Sequence, residues 1–99
     1  MAAYVVVDIE ITDSDAFQQY VSMVGPIMAK YGARLLAAGP PVATLEGDWR
    51  PQGVTLIEFP SVEHARQWHR APEYQAPMRL RQRAARSRMV LLDALPPSA

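Results

Sequence analysis

The chain has 99 residues, 49% of them hydrophobic and 20% charged, with ten basic residues balanced by ten acidic ones. That size suits one domain with a single core, the composition excludes wholesale disorder, and no apolar run approaches the roughly 18 residues of a membrane span. The absence of cysteine removes disulfides, thiolate nucleophiles and cysteine metal sites together.

The charge is unevenly placed. Residues 1–49 hold two bases and six acids, a net of −4, and residues 50–99 hold eight arginines and four acids, a net of +4. Opposite-signed halves in one small fold can assist self-association. A strand-like segment begins at once, with no basic n-region ahead of it, so the reading predicts no signal peptide and a cytoplasmic protein.

The segment "AAYVVVDIEI" (2–11) is rich in β-branched residues and predicts a strand. Alternation puts Val5, Val7, Ile9 and Ile11 on one face and Tyr4, Val6, Asp8 and Glu10 on the other. "TDSD" (12–15) supplies a helix start, with Thr12 or Asp13 as cap. Helical spacing of Phe17, Tyr20, Val21, Val24, Ile27, Met28 and Tyr31 follows, with a kink predicted at Gly25-Pro26 and an end at Gly32.

"RLLAAG" (34–39) predicts a second strand, broken by Pro40-Pro41, and 42–46 reads as its resumption or an extended edge. "GVTLIEF" (53–59) is the third strand, stopped by Pro60, and Ser61 caps a helix in which Val62, Ala65, Trp68 and His69 share a face. Ala71-Pro72 ends that helix. Residues 73–85 predict a helical turn, a restart at Pro77 and a short helix, and "SRMVLLDAL" (87–95) is the last strand.

The order is β-α-β-β-α-β, which makes the fold α+β: a four-stranded antiparallel sheet with the helices on one face. One domain is expected over 1–95, with a tail at 96–99. With Val5, Val7 and Ile9 under the helices, the open face is expected to carry Tyr4, Val6, Val54, Leu56, Met89 and Leu91. A patch of that size predicts a second sheet packed against it in a two-fold homodimer. Asp8 and Glu58 fall on the same face, where each must bond across the interface or belong to a barrel-centred site.

The run from "YVVVDIEITD" through "AKYGARLLA", "LEGDWRP", "LIEFPS", "PEYQ" and the arginine of "LRQRAA" resembles a bacterial family. It is the domain of unknown function numbered thirteen-thirty, in the dimeric α/β-barrel superfamily. The resemblance implies a ferredoxin-like fold paired sheet to sheet into a dimeric barrel, and it implies no reaction. The matching positions are Asp13, Tyr20, Gly32, Arg34, Glu46, Gly47, Glu58, Phe59, Pro60, Tyr74 and Arg81. The chain departs from the family pattern at Ala33, where a second glycine is usual, at His69, where an aromatic residue is usual, and at Arg86 and Arg88. The wider superfamily includes cofactor-free monooxygenases, isomerases and haem-handling enzymes, a range that fold alone does not narrow.

Specific chemistry is sparsely signalled. His64 and His69 are five residues apart, about 140° of helical rotation, and have no ligand-spaced carboxylate, so no metal site is predicted. No serine sits in a nucleophile elbow and no glycine-rich phosphate loop occurs, and no cofactor is expected. Arg79, Arg81, Arg83, Arg86 and Arg88 cluster without forming one stripe or interleaving with aromatics, which predicts no nucleic-acid partner, just as the absence of a span predicts no membrane partner.

What remains is a set of polar residues around an apolar pocket. Glu46, His69 and Arg81 are the candidate catalytic groups, as proton carriers and oxyanion holder, and Tyr20, Arg34, Trp49 and Tyr74 the candidate ligand-binding groups. The bland reading makes the tyrosines core aromatics, pairs Glu46 with an arginine and has Trp49 seal a dimer rim. Two functions follow. One is a small-molecule-binding dimeric barrel acting as a cofactor-free oxygenase or isomerase on an aromatic or carboxylated metabolite. The alternative is a non-catalytic structural or ligand-binding homodimer.

Overall fold

Alternation in β1 (Ala3–Ile11) sorts its side chains as the sequence predicts: Ala3, Val5 and Val7 are buried, while Tyr4, Val6 and Asp8 are half-buried on the opposite face. β1 lies inside the sheet, between β3 (Gly53–Phe59) and β4 (Ala85–Asp93), and β2 (Arg34–Gly39) pairs with the far side of β3. All three pairings are antiparallel. The helices α1 (Ser14–Lys30), α2 (Val62–Arg70) and α3 (Pro72–Ala84) cover one face. The computed structural model describes residues 1–96, so the expected tail, apart from Pro96, lies outside the described residues.

Helix boundaries follow capping chemistry. Asp13 is the N-cap of α1, its carboxylate accepting from Ala16 N at 3.1 Å. Ser61 caps α2 through His64 N, also at 3.1 Å. α1 runs on through Pro26 to Lys30. It closes where Gly32 takes φ +76°, while Ala33 N donates to Met28 O at 3.0 Å.

The expected helical turn and restart at Pro77 is instead one helix, α3. Pro72 opens it at a position that needs no N–H, and Pro77, fully buried, sits on its core face. The Gln75 amide donates back to the carbonyls of His69 and Ala71, satisfying the end of α2 and fixing the tight α2–α3 junction. Residues 42–46 form no strand.

β4 begins at Ala85, directly after α3, two residues earlier than expected. Ala85 N still bonds Arg81 O, and Ala84 O accepts from both Thr12 N (2.8 Å) and Asp13 N (3.0 Å). The register pairs Val5 with Leu91 and Val7 with Met89, so Met89 and Leu91 lie under the helices. The expectation that they face outward is corrected: Val90 and Leu92 do, beside Val6 and Tyr4. The core joins Val5, Val7, Tyr20, Val24, Ile57, Phe59, Trp68 and Tyr74.

On the open face Asp8 is bonded to Arg88 on β4, and Glu58 pairs with Arg34 on β2 at 3.1 Å. Both carboxylates therefore find partners within their own chain, which offsets the desolvation of this face.

Candidate functional site

Helical spacing brings three of the seven candidates together. On α3 the core face steps through Tyr74, Pro77, Arg81 and Ala84, so an arginine occupies an apolar position. On α1 the buried positions are Tyr20 and Val24. Where the helices meet, the hydroxyls of Tyr20 and Tyr74 lie 2.9 Å apart, and Arg81 Nη1 donates to Tyr74 Oη at 3.1 Å. The guanidinium also sits 6.0 Å from the Tyr20 ring centre.

The two ends of this polar chain, Tyr20 and Arg81, form part of the wall of an apolar cleft of about 400 Å³ between α1 and the sheet, with Tyr74 buried behind them. Val7, Val24, Leu35, Ile57 and Met89 line it, together with Trp68 and Arg81. Burial, then the neighbouring Tyr20 hydroxyl, pushes the Tyr74 phenol far above its ordinary range, so it stays neutral and serves only as donor and acceptor. Arg81 is 6% exposed and pairs with no carboxylate among the described residues. Its Nε and the indole Nε1 of Trp68 are buried without hydrogen-bond partners, at a cost of about 1–3 kcal/mol each.

Trp68, which the sequence placed on a helix face with Ala65 and His69, was not among the seven candidates. It is fully buried and stacks at 4.5 Å on Tyr74 and 5.3 Å on Phe59. Its apolar helical position was visible in the sequence, but the orphaned N–H was not.

His69 lies at the margin, its ring 6.2 Å from Tyr74 and 5.9 Å from Trp68. It lines a separate groove of about 250 Å³ with Arg66, Arg70 and Leu91. Burial, then the charges of Arg81 and Arg70, lowers its pKa below the ordinary 6.5, leaving a neutral imidazole able to accept a proton. Below pH 6.5 the unfolded chain therefore takes up this proton more readily than the native one. His69 contributes stability present above that pH and lost as pH falls toward its native pKa. Urea midpoints compared above and below pH 6.5 should fall less in His69→Gln than in the wild type, and an unchanged fall contradicts the assignment.

The expected convergence of all seven residues does not occur within one chain, because the sheet stands between two groups. Arg34 is on the open face with Glu58. Glu46 and Trp49 belong to the β2–β3 loop, where Gly47 turns at φ +83° and Thr44 Oγ1 donates to Trp49 O at 2.9 Å. They border an open-face groove of about 680 Å³ floored by Val6, Val54 and Leu56. Trp49 is 55% exposed. Among the described residues no three His, Cys, Asp or Glu side chains group as metal ligands, and no helix is long and apolar enough to cross a membrane.

An antiparallel sheet in the order β2-β3-β1-β4, with helices on one face and a cleft beneath α1, defines a ferredoxin-like protein. The chain belongs to the family described as Domain of unknown function (DUF1330), whose model matches residues 2–95. This is the family that the sequence resembles.

Its structure is similar to that of a protein of unknown function from Rhodopseudomonas palustris, at 24% identity over 97% of this chain and 84% of that one, TM-score 0.78. It is also similar to a dimeric ferredoxin-like protein of unknown function from Jannaschia sp. CCS1, at 14% identity, 95% and 100% coverage, TM-score 0.72. A third is SnoaB, a cofactor-independent oxygenase from Streptomyces nogalater, at 11% identity, 97% and 95% coverage, TM-score 0.69. At such identities the likeness is one of fold. No curated protein matches the chain.

Proposed function

We propose that the protein is a small-molecule-binding homodimer whose cleft between α1 and the sheet takes a flat, largely apolar ligand, on which it acts as a cofactor-free oxygenase or isomerase. The observation that carries this reading is the apolar cleft of about 400 Å³ with Arg81 and Tyr20 in its wall, tied together behind it through the buried Tyr74 hydroxyl. An apolar cavity with a few convergent polar groups suits ligand binding, and a cation beside phenol hydroxyls suits an oxygen that gains negative charge. The shared fold of a cofactor-independent oxygenase supports the reaction class.

The dimer is formed through the open sheet face, where Tyr4, Val6, Val54, Leu56, Val90 and Leu92 make an apolar strip flanked by the Asp8–Arg88 and Glu58–Arg34 pairs. Dimeric proteins of the same fold support a dimer, and the apolar strip is what points to this face. Glu46 and Trp49 then stand at the rim facing the partner.

A second reading, a non-catalytic ligand-binding or structural homodimer, is favoured by one observation. No carboxylate lines the cleft, and of the three candidate catalytic groups only Arg81 does.

A neutral polarity-sensitive dye, N-phenyl-1-naphthylamine, tests the cleft. Wild-type protein should bind it saturably with enhanced emission. Val21 lies at the cleft rim and is 47% exposed, so Val21→Trp adds bulk there at little cost to folding. That change should weaken binding by about tenfold or more. Undiminished binding in a folded Val21→Trp protein puts the ligand site elsewhere.

A further inference from the structure

Arg81 is hard to explain as packing. A buried guanidinium loses several kcal/mol of hydration, recovered only with an opposite charge and filled hydrogen bonds. Arg81 has one hydrogen bond, to a neutral phenol, and no paired carboxylate among the described residues. An apolar side chain of similar volume serves folding there at least as well. The second orphan, Trp68 Nε1, belongs to a residue that stands between this cleft and the groove beside His69. Two buried donors of one polarity, with one positive charge between them, call for an acceptor carrying one negative charge.

From this we infer that the cleft selects flat apolar molecules bearing a planar monoanionic oxygen group, a carboxylate or an enolate, held by Arg81 with the Trp68 indole N–H as second donor. This rests on the cleft reading and narrows its ligand class. The guanidinium fork matches a planar oxyanion in geometry and charge. The guanidinium lies in a low-dielectric wall, where a charge-assisted bond is strong, and the two orphaned nitrogens come within a ligand's reach as their side chains shift to admit it. The walls, Val7, Val24, Ile57 and Met89, offer no second cation, which disfavours a phosphate dianion.

Calorimetry with three probes that share one ring system tests this: 2-naphthoate, 2-naphthamide and 2-naphthol. Wild-type protein should bind the naphthoate about tenfold or more tightly than the naphthamide, the usual margin of a charge-assisted bond over a neutral one. Arg81→Met should abolish that preference while retaining naphthamide binding. Trp68→Phe, which keeps the ring and removes the N–H, should reduce it.

Ionisation of 2-naphthol on binding, read from its absorption, marks the enolate class, and naphthoate preference without it marks carboxylates. Equal affinity for naphthoate and naphthamide, with 2-naphthol un-ionised, overturns the anion inference and leaves the cleft reading standing. Failure of all three to bind overturns both. The wild-type comparison decides the matter even if Arg81→Met does not fold.

Discussion

Leu56→Asp is expected to turn the protein into a folded monomer. Leu56 sits at the centre of the open face, opposite Val6 on β1 and Ala37 on β2, and contributes to the groove that Glu46 and Trp49 border. In a separate subunit the new carboxylate points to water and costs about 1 kcal/mol at most in strand propensity. In a face-to-face dimer it is buried without a partner, and two-fold symmetry imposes the cost on both subunits. At several kcal/mol per buried ion, the dimer dissociation constant should rise by about four orders of magnitude or more. Sedimentation equilibrium reads the mass and circular dichroism reads the fold. A dimer of undiminished affinity would place the interface on another surface.

Gly32→Ala should be the most destabilising of the small substitutions. Gly32 holds φ +76°, where an L-residue costs roughly 1–2 kcal/mol. An added Cβ would also lie 2.8 Å from Pro60 Cγ, closer than such atoms approach. Relieving that contact costs roughly a further 1–2 kcal/mol, for a total of about 2–4 kcal/mol, or roughly 10–20 °C in Tm at fixed protein concentration. A double-mutant cycle with Pro60→Ala separates the causes, since removing the ring relieves the contact and leaves the dihedral strain. Full recovery in the double variant would show that the backbone conformation carries no penalty.

Features set by local chemistry were legible in the sequence. The alternation of β1, the Ser61 cap, the Gly32 stop and the element order each depend on a few neighbouring residues, and the fold followed from their order. The facing of β4 was not legible, because "MVLL" is apolar on both faces and no turn residue separates α3 from β4, so nothing local fixes the frame. In the site, Tyr20 was legible from helical spacing, whereas Tyr74 and Arg81 stood out through the family resemblance, and the break expected at Pro77 hid that they share one core-facing stripe of α3. Glu46 and Trp49 were conspicuous as neighbours in sequence, yet which side of the sheet their loop occupies is a tertiary property. Trp68 was hidden for the opposite reason: an indole on an apolar stripe reads as filling, and only its surroundings reveal the unbonded N–H.

The passage from α3 into β4 without a loop has a consequence for local opening. Ala84 O holds the amides of Thr12 and Asp13, so the entry to α1 is tied to the exit of α3, one residue before β4 begins. The two ends joined in this way are some seventy residues apart along the chain. Fraying at either end breaks the same two hydrogen bonds, so the amides of Thr12 and Asp13 are expected to exchange as the end of α3 opens. One carbonyl oxygen thus latches the start of α1 to the end of the helix that carries Arg81.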